Sequence, residues 1–445
     1  MWCSSMQKHG VNNTAATCST GTGFNDIIGN FVRTVEGLHR SLFVIMTFVQ
    51  HFDKTNKNEL NLFLDKYGKK EKDDDGDYHT IPLEFMKEAI AHEKNASGSR
   101  IALDFVPKSF IVLLVSQYDA YLGNLIKALL GLFPEVLFSS DRVVKFSKIA
   151  KSDSISAVVE EIIEKEVETV LRKSHVEQFA WMQKIFEVPL NKDVDGWEGF
   201  VEVTERRNLF VHCDGVVSKQ YLVNCKDNNV KFEDGVKLGE KLSVSPEYFH
   251  EAYCCIFKVG YILGQVLWRR FVKEENKKAD ENIITTMFDS LLNEDYKLVI
   301  SIGLFALKYA KFSEEEGKRV VVINLAIAYK MDGQDFEKNQ LINKWDWSAC
   351  GPKFKMAISV LQDKFEEASE IMEKIGNNGD IKKHDYITWP LFTEYRKSEL
   401  FKTTYEKVFN EKYIEYEVRN ETAVNDKSRN KSREAGKHRK KTKKR

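Results

Sequence analysis

Apolar residues recur along most of this 445-residue chain at the three- and four-residue spacing of helices. Between residues 24 and 64, Ile28, Phe31, Val32, Val35 and Leu38 mark a first helix. "KKEKDDDGD" at 69–77 reads as a charged loop, a short helix is expected near 82–94, and "KNASGSR" punctuates the chain after it. Pro107 suits the first turn of a long helix that Pro134 stops. The apolar positions of that helix (110–115, 118, 121, 122, 125, 126 and 129) cover most of its circumference, which places it at the centre of a bundle. A narrow stripe interrupts them: Ser116, Asp119, Gly123 and Lys127. A carboxylate inside such a helix needs a partner, because desolvating it unpaired is costly.

A helical pattern covers 153–187, and a loop is expected at 188–196. "WEGFVEVTERRNLFVH" makes the next helix, ended by "CDG" with Gly215 as its left-handed cap. "VSKQYLVNCKDNNVKFEDG" reads as a polar, irregular excursion with room for a short hairpin. Ser245 then caps, and Pro246 opens, a further long apolar helix ending at Trp268-Arg269-Arg270. Residues 100–275 read as one bundle of four or more helices, preceded by a helical extension at 24–99. From 280 to 415 shorter helices follow one another through short loops, like stacked tetratricopeptide-type hairpins, though without a strict period of about 34 residues. The expected fold class is all-α: a helical bundle followed by a repeat-like helical region.

Composition agrees with a soluble globular protein, at 42% apolar and 30% charged residues. Seven prolines against 29 phenylalanines favour long helices over a turn-rich β fold. The formal net charge is zero but unevenly spread. Residues 427–445 hold eleven Lys or Arg and one Glu, so this tail carries +10 and the rest of the chain −10. Such a tail is expected to be unfolded, and either binds RNA through phosphates or is simply solvated. Residues 1–23, polar and rich in Gly, Ser and Thr, are likewise expected to be disordered.

Seven cysteines without a CxxC pair point to reduced thiols and a cytoplasmic protein. No signal-peptide pattern or membrane span is expected, since Asp119 and Lys127 interrupt the most apolar run. The ten histidines show no paired-ligand spacing, and neither a Walker-type loop nor a nucleophile elbow occurs. No metal or cofactor is expected.

The chemistry concentrates in "RRNLFVHCDG" at 206–215. On an ideal helix Glu205, Asn208 and His212 fall within about 60° of one another, with Val203 and Phe210 opposite. Arg207 lies about 140° and Arg206 about 120° from His212. The arginines therefore meet the histidine only where a second helix or a second subunit closes a groove. One reading is a helix C-terminus whose basic residues complement the dipole. The other is a phosphate site. A histidine moves protons near neutral pH, and an arginine offers a planar fork to phosphate oxygens. Cleaving an RNA backbone needs a base for the 2′-OH, a cation at phosphorus and an acid for the 5′-oxygen.

Arg207-Asn208-x-x-x-His212 resembles the R-x(4–6)-H signature of HEPN ribonucleases, with Asn after Arg and the motif at a helix end. The long helices before and after it extend the resemblance over about residues 100–275. It is nearest to the abortive-infection and RiboL-PSP-like HEPN proteins. The resemblance implies a metal-independent endoribonuclease, a hydrolase acting as a toxin or in antiviral defence. It implies a homodimer whose two motifs form one composite site, with RNA as substrate and a regulatory or trigger protein as a further partner. Carried over, His212 is general base or acid, with its symmetry mate in the other role. Arg207 binds the scissile phosphate and Asn208 orients His212 or the backbone. Glu205, Asp119 and Arg206 are supporting candidates, a plain salt bridge being the alternative for the acids. Two further readings stand beside this one: a non-catalytic HEPN protein binding RNA or nucleotide, and a helical-repeat adaptor working through 280–415.

Overall fold

The computed structural model describes residues 23–73, 76–139, 149, 151–188, 196–232 and 236–414. Of the segments expected to be disordered, 427–445 and all of 1–23 but Gly23 lie outside the described residues, as does most of the loop expected at 188–196. The described residues are mainly helical. The chain divides into two compact units, Met1–Lys344 and Trp345–Arg445.

The first unit opens with α1, Phe24–Tyr67. Its first turns bury Phe24, Ile27, Ile28, Phe31 and Val35, the face that the apolar spacing marks. The charged run after it is a hairpin rather than a loop, with β1, Lys69–Asp73, antiparallel to β2, Gly76–Thr80. Opposite charges pair across it, Lys70 with Asp77 at 3.3 Å, and Tyr78 donates to Glu71 at 3.4 Å. Complementary cross-strand neighbours of this kind stabilise a pairing that composition alone conceals.

A single helix, α2, then runs from Met86 to Leu132 through both "KNASGSR" and Pro107, where two helices were expected. An interior proline removes a hydrogen bond and costs about 3 kcal/mol. Contacts with α1 offset this: Ser99 Oγ bonds Asp53 at 3.0 Å, and Asn56 donates to the Asn95 carbonyl at 3.2 Å. α2 is long and apolar enough by length and composition to cross a membrane. Between Ile111 and Leu130 it buries Ile111, Leu114, Val115, Tyr118, Leu122, Leu125, Ile126, Leu129 and Leu130 in the core of the unit, while Leu113 is exposed.

The segment expected as one helix over 153–187 is two, α3 (Ile155–Leu171) and α4 (His175–Phe186), separated by a turn at Ser174. α5, Trp197–His212, follows, and the polar excursion contains α6, Lys219–Asp227, capped by Ser218. α7, Pro246–Phe271, starts at the expected Ser245 cap. α2 is the hub and packs against α1, α3, α5 and α7. α1 therefore belongs to this bundle and not to a separate extension. Gly260 and Gly264 on α7 permit the close approach: a Cβ at 260 would stand 2.5 Å from Phe31, and one at 264 would stand 2.1 Å from the Tyr121 hydroxyl. That hydroxyl donates to the Gly260 carbonyl at 3.0 Å.

Beyond the bundle come α8 (Asn276–Leu292), α9 (Tyr296–Tyr309), α10 (Glu315–Met331) and α11 (Asp335–Asn343). α9 also touches α7, and α10 packs on α8, α9 and α11. The repeat-like stretch is thus divided, its first four helices belonging to the first unit. The second unit holds α12 (Pro352–Leu361), α13 (Phe365–Ile375), α14 (Lys383–Thr388) and α15 (Glu399–Phe409) around buried Tyr386, Phe392, Tyr395 and Phe401.

A cluster of acids lies where α1 meets the α8–α9 turn. Burial pushes Glu36 up to about 7, with Arg40 partly offsetting it and Asp289 and Asp295 adding to it. Its Oε1 is buried without a hydrogen-bond partner. Because the folded pKa is raised, the protonated form is favoured by folding, and stability is lost as pH rises from 4.5 through about 7. Glu36→Gln should leave stability unchanged near the bottom of that window and raise it by about 1–2 kcal/mol at about pH 8, after discounting for partial exposure. Urea denaturation at both pH values measures this, and an unchanged variant at the higher pH contradicts it. The comparison with wild type also isolates Glu36 from His39, which burial and His250 lower to about 4 with the opposite sign.

Candidate active site

The stripe of Ser116, Asp119, Gly123 and Lys127 is the side of α2 that receives α3. A Cβ on Gly123 would meet Leu171 at 3.1 Å, so glycine lets α3 cross close by, and Lys127 pairs with Glu164 at 3.1 Å. α3 ends at Leu171, and Gln178 donates to the Leu171 and Lys173 carbonyls left free there. The chain turns and restarts at a capping box. Ser174 Oγ accepts from the Glu177 N–H, and Glu177 accepts from the Ser174 N–H at 3.0 Å. This corner delivers His175, first residue of α4, to Asp119.

α5 arrives from the other side, with Phe200, Val203, Thr204 and Leu209 buried. Two consecutive residues beyond its C-terminus adopt left-handed φ, Asp214 at 49° and Gly215 at 80°. The Gly215 N–H donates back to the Leu209 carbonyl at 3.0 Å, and a Cβ on Gly215 would crowd the Leu242 carbonyl at 3.2 Å. The expected cap is therefore in place.

Asp119 bridges two cations or donors with its two oxygens. Arg207 Nη2 donates to Oδ2 at 2.7 Å, and His175 Nε2 lies 2.8 Å from Oδ1. An ionised carboxylate only accepts, so Nε2 carries the hydrogen. The His175 ring is buried against Tyr118 and Phe200, with centroids 5.9 and 5.7 Å away. Arg207 Nε is buried and has no hydrogen-bond partner.

These groups open onto a cleft of about 480 Å³ lined by Arg207, Asn208 and His212 from α5 and by Arg172, Lys173 and His175 from the α3–α4 corner. Its far wall is α6, with Gln220 and Asn224. Glu205 also lines it, and accepts from Asn224 at 2.9 Å. Arg207 and His212 thus share a cleft despite their angular separation on α5. The second wall that the helix geometry demands is supplied by α4 and α6 of the same chain. Three cations against one lining carboxylate give the cleft a positive bias suited to an anion.

Arg206 goes elsewhere. Its Nε donates to Glu202 at 2.7 Å, and its guanidinium lies 3.9 Å from the Tyr248 ring centroid. Glu202 also accepts from Tyr221 at 2.8 Å and Tyr248 at 2.7 Å. Burial works against the Arg206 charge, but Tyr248 and Glu202 outweigh it and its pKa is raised. Arg206 therefore locks α5 to α6 and α7 and does not line the cleft. His175, in contrast, escaped the reading of the sequence. The signal was present as Ser174-His175-Val176-Glu177, a capping-box pattern inside a stretch read as continuous helix.

Among the described residues no group of three His, Cys, Asp or Glu is placed to hold a metal ion. Compared with protein-family models, with curated proteins and with solved structures, the chain finds no match.

Proposed function

We propose that the first unit is a HEPN-like endoribonuclease that cleaves RNA by attack of the 2′-OH on the adjacent phosphorus, without a metal ion. The observation that carries this reading is the cleft in which Arg207, Asn208 and His212 stand together, with Arg207 anchored by Asp119. Asp119 holds Nη2 of the guanidinium and leaves Nη1 for a phosphate oxygen. Arg172 and Lys173 add the field that draws a polyanion to the cleft. His212 lies exposed in the last turn of α5 and lines the same cleft.

The partners that go with this reading are RNA and a second copy of the chain, in the cytoplasm. The tetratricopeptide-like helices after residue 280 would sense a trigger or restrain the nuclease, in a toxin or antiviral-defence role. The test is RNA cleavage in excess EDTA, wild type beside His212→Ala. Wild type should cut, and the variant should lose on the order of 100-fold or more while melting normally. Undiminished cleavage by the variant sinks the assignment.

A further inference from the structure

Resting on that nuclease reading, we propose that His175 is the second proton-transfer residue, so that one chain supplies both the base and the acid. Backbone cleavage moves two protons. The 2′-oxygen loses its hydrogen as it bonds to phosphorus, and the 5′-oxygen gains one as the P–O5′ bond breaks. The products are a 2′,3′-cyclic phosphate and a 5′-hydroxyl, and no other reactant is consumed.

The pairing with Asp119 settles which ring nitrogen of His175 is available. Nε2–H donates to Asp119 Oδ1 at 2.8 Å, so in the neutral ring Nδ1 holds the lone pair. Nδ1 makes no hydrogen bond among the described residues and is not among the buried atoms left without one. His175 lines the cleft, and with Nε2 committed to Asp119, Nδ1 is the ring nitrogen left to meet a ligand there. A carboxylate behind the far nitrogen fixes the tautomer and stabilises the imidazolium that forms when the near nitrogen takes a proton. That is the arrangement of a general base. His212 has a different setting: it is exposed in the last turn of α5 and lines the same cleft, with no carboxylate paired to its ring among the described residues. With His175 as the base, the role left to it is that of the general acid. Arg207, sharing Asp119 with His175, lines the cleft beside the base, where the phosphate would lie.

The assignment differs from one in which His212 of each copy serves the other, and it is open to test. In the EDTA cleavage assay, His175→Ala should lose on the order of 100-fold or more in kcat, and the acidic limb of its pH–rate profile should flatten. His175→Gln keeps a donor for Asp119 but cannot take up or release a proton, and should be as inactive as the alanine variant with a wild-type melting curve. Mixing His175→Ala with His212→Ala chains under conditions that exchange subunits should restore nothing, because every cleft then lacks one partner. Wild-type rates in His175→Gln would show that His175 only braces Asp119, and recovery on mixing would place the pair across two chains. Either result overturns the inference while leaving the nuclease reading intact. Failure of the wild type itself to cut RNA overturns that reading and this inference together.

Discussion

Arg207→Ala should slow RNA cleavage by about 100- to 1,000-fold, the range seen when one preorganised donor to a developing oxyanion is removed. The expectation follows from where the side chain is held. Arg207 is one-fifth exposed, and its Nη2 is committed to Asp119 at 2.7 Å. The guanidinium is therefore oriented in advance, and in the proposed reaction it would stabilise the charge on phosphorus without reorganising. Arg207→Lys should not restore the rate. An ammonium can pair with Asp119 or reach a phosphate oxygen, but lacks the planar fork that does both. Removing the arginine leaves Asp119 with His175 alone, so a melting curve on each variant separates lost chemistry from lost fold. Wild-type cleavage by a folded Arg207→Ala would show that the Asp119–Arg207 pair is only a structural tie.

The second large effect is on stability. Glu202→Ala should cost about 3–5 kcal/mol, the range for breaking a buried pair by removing one partner. Both side chains of the Glu202–Arg206 pair are 13% exposed. Glu202 is also the common acceptor for two tyrosine hydroxyls. Without it Arg206 keeps its charge in a poorly solvated site, and the Tyr221 and Tyr248 hydroxyls lose their acceptor. Glu202→Gln retains an acceptor and should cost less. Urea denaturation followed by far-UV circular dichroism measures both, and a loss below about 1 kcal/mol for the alanine variant contradicts the assignment. Because α5 is tied to α6 and α7 through this cluster, the same variant should weaken the cleft wall and lower cleavage as a consequence.

Much of the bundle was legible in the sequence because it rests on periodicity. The apolar positions of 110–130 place α2 at the centre of the unit, and the Ser245-Pro246 start of α7 is a local signal that nothing overrides. The segments that differed are those where tertiary contact outweighs local preference. Pro107 and the Ser/Gly-rich stretch before it stay helical because α1 braces them, and no pattern within α2 announces that. The hairpin at 69–80 depends on charges that pair only once the strands face each other.

The site followed the same division. Arg207, Asn208 and His212 were readable as a motif, and the stripe on α2 singled out Asp119 as a carboxylate in need of a partner. What periodicity could not supply was the neighbour. The break at Ser174 is one turn long, and reading through it hid both the α3–α4 corner and His175. The angular separation of Arg207 from His212 was sound for the helix axis. It did not include the reach of an arginine side chain or the walls contributed by α4 and α6. Arg206 shows the converse: next to the motif in sequence, it serves packing and not the cleft.

The central claim, that this cleft cuts RNA through its own 2′-hydroxyl, is tested most directly by the ends of the fragments. Wild-type protein is incubated with a defined RNA in excess EDTA, and the products are identified by mass spectrometry. The account predicts 2′,3′-cyclic phosphate on one fragment and 5′-hydroxyl on the other. Fragments carrying 3′-hydroxyl and 5′-phosphate, or RNA left intact, would contradict it.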